Sequence, residues 1–482
     1  MKKIYKHHAL LILGLLAFTA LPPQHLNAQQ VNNYFEKIRN NPPMLTAFMT
    51  AMPKGGDLHH HFSGSMYGET YWEILDKNNG WMNPVDIAVD IPGTLHNSPW
   101  ERFETLRSRK DLDSLKQAFL HKTSIKDYTS LAEPGDQHFF ATFGYYSAVA
   151  TYGMIQGLQE FKRRAISENV SYIETIVGAP DTLLNLEKGP IWESTLAGAA
   201  LSDSTAVSDT LNMVFNALSS SVSGIAINFC KKQRRLHQQA AIDDSSFTLR
   251  YQLSASRSAA PLAVYRRLLI AFQAASLDTE MIVGVNLVSP EDGAVSMRDY
   301  TLHMLMIAHL HQKFKNIRYS LHAGELTTGM VRPELLRYHI QQAVTIAGAS
   351  RIGHGVDIAH EAQAIQLLHY MRIHKIAVEI NLGSNEFILQ VKNEQHPVMM
   401  YYTHKVPIVI STDDAAVLRT DLTQQYILLA SRYPSLSYTE IKAIARNSIT
   451  YSFMTTVLKE QKLQQLDKAF EQFERSIVAE FK

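Results

Sequence analysis

Cysteine is almost missing: Cys230 is the single one in 482 residues. That excludes an intramolecular disulfide and any metal site built mainly from thiolates. An excess of either charge is missing too, since 46 Lys and Arg stand against 45 Asp and Glu, for a net charge of +1. The cations are dispersed, so no broad basic face is available for nucleic acid. No internal repeat or extended low-complexity segment occurs. What remains, 46% hydrophobic and 19% charged residues, is enough for a large buried core in one large domain or two smaller ones.

One apolar run stands apart. Residues 9–21, ALLILGLLAFTAL, follow the basic MKKIYKHH and precede PPQHLNAQQ, the pattern of a secretory signal peptide cut after Ala28, with Leu26 an imperfect fit to the small-residue rule. The run is shorter than the ~20 residues a retained membrane span needs, and no cysteine near it would carry a lipid. The expectation is a signal peptide over residues 1–28, one domain over 29–482, and export to a periplasm or the medium. The missing disulfide suits a bacterial periplasm.

Beyond a helical lead over residues 32–51, eight β-branched runs alternate with amphipathic, helix-length stretches: GGDLHHHF, VSYIETIV, FTLRYQLSA, EMIVGVNLV, IRYSLHAGE, ASRIGHGVD, KIAVEINLG and VPIVISTDD. Strand–helix alternation of this kind predicts an α/β fold with a parallel sheet. Eight units predict a closed (β/α)8 TIM barrel, with an open doubly wound sheet as the rival. Residues 67–131 and 181–244 are less regular and read as helical excursions over the barrel mouth. LKEQKLQQLDKAFEQFERSIVAEF reads as a closing helix.

In such a barrel the chemistry sits at the C-terminal ends of the strands. Those ends carry His59 and His61, the HAGE of His322 to Glu325, His354 in RIGHGVD, Ser384 and Asn385 in LGSN, and Asp413 with Asp414 in STDD. Strand alternation points His59 and His61 the same way and His60 away. With His322 and Asp413 they make a set of three imidazoles and one carboxylate, which suits Zn²⁺ with room for a water. Taken singly, one of 21 histidines at a strand end is most simply structural, and STDD is a common turn or cap. Four such motifs in one order, each at a strand end, are not.

MPKGGDLHHHFSGS, VSYIETI, SLHAGE, RIGHGVDI, VEINLGSN and VPIVISTDDAA together resemble the motif series of the adenosine deaminase family, over nearly all of the chain from Met52 to Tyr451. LVSPEDG is similar to its secreted, growth-factor-related branch. The resemblance implies one zinc ion per chain held by His59, His61, His322 and Asp413. It implies that Glu325 protonates purine N1, that His354 is the base that orients and deprotonates the zinc-bound water, and that Asp414 contacts N7 and that water. The implied activity is hydrolysis of adenosine, and of 2′-deoxyadenosine, to inosine and ammonia by attack at C6.

The chain also departs from the family pattern. Asp57 stands for the usual acid of strand one and is expected to hydrogen-bond inside the barrel. Ser63 replaces the Asp that holds the ribose 5′-hydroxyl, Ser289 replaces a glycine whose N–H meets purine N3, and Ala415 replaces a proline. The partner implied is a small purine nucleoside, without nucleic acid or a lasting membrane anchor. Rival readings are a deaminase of AMP or a 5′-modified adenosine, another mononuclear amidohydrolase, and a catalytically silent secreted binding protein. GVNLVSPED lacks the lysine that bridges two metals in binuclear relatives, and one cysteine cannot build the zinc motif of cytidine-type deaminases. No Gly-rich cradle or basic cluster adjoins the motifs to hold a phosphate, and Lys162 to Arg164 read as a solvated helix face.

Overall fold

The computed structural model describes residues 23–181 and 188–480. The apolar run and most of the predicted signal segment lie outside these. The last residues of that segment open a helix, Pro23–Ile38, which continues through the predicted cut. A second helix, Pro42–Ala51, starts at Asn41, whose side chain accepts from the Met44 N–H, with proline in the first turn; both features favour a helix start.

All eight predicted strands form: β1 Gly55–His61, β2 Val170–Gly178, β3 Thr248–Ser256, β4 Ile282–Val288, β5 Ser320–Ala323, β6 Arg351–His354, β7 Ala377–Ile380 and β8 Ile408–Ile410. β1 to β4 pair in order and in parallel, as do β5 to β8. Parallel bridges join Val285 to Tyr319 and His60 to Asp413. At the second of these, the Asp413 N–H donates to the His59 carbonyl at 2.8 Å and the His61 N–H to the Asp413 carbonyl at 3.1 Å. The ring is therefore closed, and the open sheet is excluded. Every residue of β5 to β8 is buried, as expected of parallel strands covered on both faces.

The bottom of β1 explains its paired glycines. Gly55 has φ +73°, and a Cβ there would lie 2.5 Å from Ser448 Oγ and 2.8 Å from the Ala445 carbonyl, so no side chain fits. Ser448, on the helix Tyr438–Thr450, accepts from the Gly56 N–H at 2.7 Å.

The excursions differ from the expectation. Residues 67–131 include the helices Gly68–Lys77 and Leu112–Lys122, but also three short antiparallel strands, Trp81–Asn83, Ala88–Asp90 and Glu101–Arg102. At two or three residues each, they are too short to show an alternating pattern. In the second region the helix Ser204–Gln239 packs on the outer helices Met154–Ser167, Pro261–Leu277 and Tyr300–Lys313. The helix Gly135–Tyr152, between the two regions, packs on Phe62–Ser65 and Leu382–Leu389 at the ends of β1 and β7 and brings Phe139 and Phe140 to the mouth.

Candidate active site

The strand ends bring the predicted residues together. His59 Nε2 and His61 Nε2 lie 3.4 and 3.2 Å from Asp413 Oδ1, and His61 Nε2 lies 3.1 Å from His322 Nε2. Donors about 2.1 Å from a tetrahedral centre are about 3.4 Å apart, so these separations suit one small cation. The chemistry agrees. His322 Nδ1 donates to Asn286 Oδ1 at 2.9 Å, which leaves its Nε2 lone pair facing His61. His59 Nε2 is buried without a partner. Burial alone would lower the His59 pKa, but the adjoining carboxylates of Asp413 and Glu379 lift it to about 10, so the surroundings call for positive charge at this point. His59, His322 and Asp413 fall into one buried group of candidate donors with His354, and His61 into a second with Asp413 and Asp414; together they fit a metal ion, and zinc suits the donor set.

The ligand orientations are fixed from below. His59 Nδ1 donates to Glu379 Oε2 at 2.7 Å, and Ser384 Oγ donates to Asp413 Oδ2 at 2.6 Å. Arg351 donates to Glu379 at 2.5 Å and to Glu174 at 2.6 Å, Gln252 donates to Glu174 at 3.0 Å, and Asn286 donates to Gln252 at 3.1 Å. A continuous buried chain thus crosses the barrel from His59 to His322. Such outer partners set the tautomer and the aim of metal-binding histidines.

Around the donors lies a cavity of about 40 Å³, lined among others by His61, Phe139, Phe140, Ser289, Glu325, His354 and Asp414. Burial, and then the charge of Asp413, hold the Glu325 carboxyl well above the usual range despite the opposing Arg257. Asp414 is raised by burial and the same neighbour, and its Oδ1 has no partner. Its carboxylate lies against Gly64, where a Cβ would fall 1.6 Å from Oδ1. Burial lowers His354 to about 3, so its imidazole is neutral. His354, Asp413 and Ser289 have φ of 68°, 64° and 91°. For residues other than glycine this is strain of about 1–3 kcal/mol each, of the kind held at functional sites.

Some residues fall elsewhere. Ser289 reaches the cavity wall, but Ser63 lines a separate cavity of about 250 Å³ with Ser147, Thr151 and Lys232. His60 turns away as expected, its Nδ1 3.0 Å from Thr175 Oγ1. Asp57 does not point with His59 into the barrel: a register shift between Asp57 and His60 sets it beside His60 and Phe161 under the helix Met154–Ser167, where it accepts from Thr412 Oγ1 at 2.6 Å.

The sequence reading missed Glu174, Gln252, Asn286, Arg351 and Glu379. It also missed Arg257 and Glu291. Glu291 accepts from the N–H groups of Gly324 and Glu325 at 3.1 and 2.8 Å, and Arg257 donates to the Ser289 and His322 carbonyls at 2.8 and 3.2 Å. Together they tie the loop after β4 to the HAGE turn. The available signal was polar residues inside strands that are otherwise apolar on both faces.

Known proteins resemble this chain in sequence and in fold. The sequence model of one family, described as "Adenosine deaminase", matches residues 219–469, just over half of the 482-residue chain. The chain belongs to the adenosine deaminase family. An adenosine deaminase of Clostridium acetobutylicum is 31% identical over 152 residues, covering 31% of this chain and 42% of that protein. The match thus spans less than half of the relative. Among solved structures, the N6-methyl-AMP deaminase of Arabidopsis superposes with a TM-score of 0.52 at 18% identity, over 88% of this chain and 99% of that one. An amidohydrolase from Burkholderia ambifaria with bound zinc gives 0.50 at 14%, over 90% and 94%. At these identities the structural likeness establishes the (β/α)8 fold shared by this adenosine deaminase family member and both enzymes.

Proposed function

We propose that this adenosine deaminase family member hydrolyses the 6-amino group of a purine nucleoside, converting adenosine, and 2′-deoxyadenosine, to inosine or deoxyinosine and ammonia. The observation that carries the reading is the convergence of His59, His61, His322 and Asp413 beside a carboxyl, Glu325, that burial keeps protonated. One zinc ion held by the four donors would lower the pKa of a water and make it a nucleophile near neutral pH. Glu325 gives its proton to N1, which makes C6 electrophilic. His354 and Asp414 flank the attacking oxygen and handle its proton. Of the two protons water loses as its oxygen becomes the C6 carbonyl, one leaves with the amine as ammonia and the other restores Glu325. The N–H of Ser289 faces N3, and Asp414 faces N7.

A phosphorylated 5′ group is the second reading, favoured by one observation: Ser63 shares its cavity with Lys232. The neutral nucleoside remains the better fit, because the cavity around the donors has no lysine or arginine in its lining. Export rests on the basic-apolar-polar leader of residues 1–28.

The test is ammonia release by the zinc-loaded protein from adenosine, 2′-deoxyadenosine, 5′-deoxyadenosine and AMP. Glu325→Gln should keep zinc and lose about 10²–10⁴-fold in kcat. Equal rates on adenosine and AMP would favour the second reading. No turnover of any 6-aminopurine with stoichiometric zinc bound would overturn both.

A further inference from the structure

Ser289 and Glu325 follow different strands, yet one buried ion pair holds both. Arg257, the residue after β3, is fully buried. Its backbone N–H donates to the Val288 carbonyl at 3.0 Å, and because a trans peptide points its C=O and N–H in opposite directions, the Ser289 N–H faces away from Arg257. The side chain takes the next carbonyl, with Nε donating to Ser289 at 2.8 Å. The Ser289 hydroxyl pairs with Ser256 Oγ at 2.7 Å, so a residue at φ 91° is fastened at three points by Ser256 and Arg257. Glu291 does the same for the HAGE turn. Gly324 has φ +74°, and a Cβ there would lie 2.4 Å from Asp357 Oδ1; such a left-handed residue turns successive N–H groups into a concavity that suits an anion. Glu291 fills it with one oxygen on each amide, Gly324 at 3.1 Å and Glu325 at 2.8 Å. His339 Nδ1 donates to the same Oε1 at 2.5 Å. Arg257 Nη1 lies 3.8 Å from that oxygen and donates to the His322 carbonyl at 3.2 Å. Neither Arg257 nor Glu291 lines the cavity.

We propose that Arg257 and Glu291 act as one positioning unit that sets the spacing between the Glu325 carboxyl and the Ser289 backbone, the two groups that meet N1 and N3 on the pyrimidine edge of the purine. The roles at N1 and N3 rest on the deaminase reading, whereas the mechanical link between the two loops does not. Each member is suited to its part by chemistry. Bonding two carbonyls from one arm takes a rigid fork, which a guanidinium has and an ammonium lacks. Glu291 accepts three donors on two oxygens. A glutamine keeps one oxygen and turns its amino group towards an N–H that also donates.

The experiment compares the zinc-loaded wild type with Arg257→Lys, Glu291→Gln and the double variant, zinc stoichiometry being checked in each. In the wild type, hydrogen exchange should find the amides of Gly324 and Glu325 strongly protected. Exchange there at the rate of an exposed loop would overturn the proposal, and this measurement needs no variant to fold. In each single variant kcat on adenosine should fall about 10²-fold as Glu325 is displaced from the reacting edge, and KM should rise about tenfold as Ser289 is loosened. The double variant should cost no more than the worse single one. Two ligands that need no turnover read the Ser289 end by calorimetry: 1-deazaadenosine, which lacks N1 but keeps N3, and 1,3-dideazaadenosine, which lacks both. Glu291→Gln should weaken the first about tenfold, although Glu291 bonds the turn that serves N1, and should leave the second unchanged. An unchanged affinity for 1-deazaadenosine in a folded Glu291→Gln protein would overturn the unit. So would equal weakening of both ligands, the mark of general loosening, or additive losses in kcat. Ligand affinities that respond as stated in a protein that deaminates no 6-aminopurine would instead uphold the unit and refute the deaminase reading.

Discussion

Glu379 is bound from three sides. It accepts from His59 Nδ1 at 2.7 Å, from Ser320 Oγ at 2.8 Å and from Arg351 Nε at 2.5 Å. Burial would raise its pKa, but Arg351 and His59 outweigh that and hold it at about 2. It is therefore ionised, and the charge sits on the outer nitrogen of a metal-site histidine, where it strengthens the inner one as a donor. Glu379→Gln keeps the shape and removes the charge, and zinc affinity should fall about 10–100-fold in competition with a chelator. An affinity equal to the wild type would show that the carboxylate only fills space. The histidines and carboxyls facing the cavity were readable because each sits at a strand end in a recognisable motif, whereas Phe139 and Phe140, on a helix, were not. Glu379 was not, because AVEI looks like any short buried strand, and a polar residue within it declares its purpose only when the facing strand is known. Ser63 was readable as a departure but not as a neighbour of Lys232, because that meeting depends on a helix more than 160 positions along the chain.

At the scale of elements, the eight strands were legible from their apolar, β-branched character and regular spacing, and their C-terminal ends gave the site. The three short strands between residues 81 and 102 were not, since a two- or three-residue pairing leaves no periodicity to detect. Nor was the course of Ser204–Gln239, because helical spacing shows that one face is buried without saying against what. The register shift in β1 is a third case. Alternation correctly paired His59 with His61, yet Asp57, one step earlier in the same alternation, lies on the other side of the shift. The helix Gly135–Tyr152 is the one that reaches over the candidate site. Its Phe139 and Phe140 line the small cavity over the donors, and its first residue rests on the helix Leu382–Leu389, where a Cβ on Gly135 would come within 2.3 Å of the Phe387 carbonyl. A purine is much larger than the cavity, so entry of a substrate requires those rings to move aside and pack against it. Phe140, the more exposed of the two, contributes contact that is the same in the ground and transition states. Phe140→Ala should therefore raise KM about tenfold with kcat little changed. A fall in kcat at constant KM would mean that the ring acts in the transition state instead.

For the whole molecule, the buried ionisable groups set how stability responds to acid. Burial raises Asp57 to about 6 and Glu168 and Glu361 to about 7. These groups hold protons in the folded state that the unfolded chain gives up, so they add stability as pH falls from 7 towards 4. Burial lowers His303 and His309 to about 4 and His396 to about 3. The folded state refuses protons that the unfolded chain accepts, so these groups remove stability over the same range. The two sets oppose each other, and stability should change little between about pH 7 and 5. Below that, Glu291 and Glu379 are decisive. For both, burial is outweighed by an arginine charge and a histidine hydrogen bond, Arg257 and His339 for Glu291 and Arg351 and His59 for Glu379, and both lie at about 2. A carboxylate depressed in this way contributes stability that is fully present above the ordinary value near 4.5 and is lost as pH falls towards 2, up to about 3 kcal/mol for each. The metal-free protein in a chelator, where protons and zinc do not compete for histidine, should show a urea midpoint that is nearly level from pH 7 to 5 and drops steeply below 4.5. In Glu291→Gln the midpoint should start lower and the drop should be shallower, because one of the depressed carboxylates that titrate there, among them Asp243 and Asp413, is gone. A midpoint that declines steadily from pH 7, with the same slope in the variant, would mean that the histidines govern acid unfolding and that the Arg257–Glu291 and Arg351–Glu379 pairs do not.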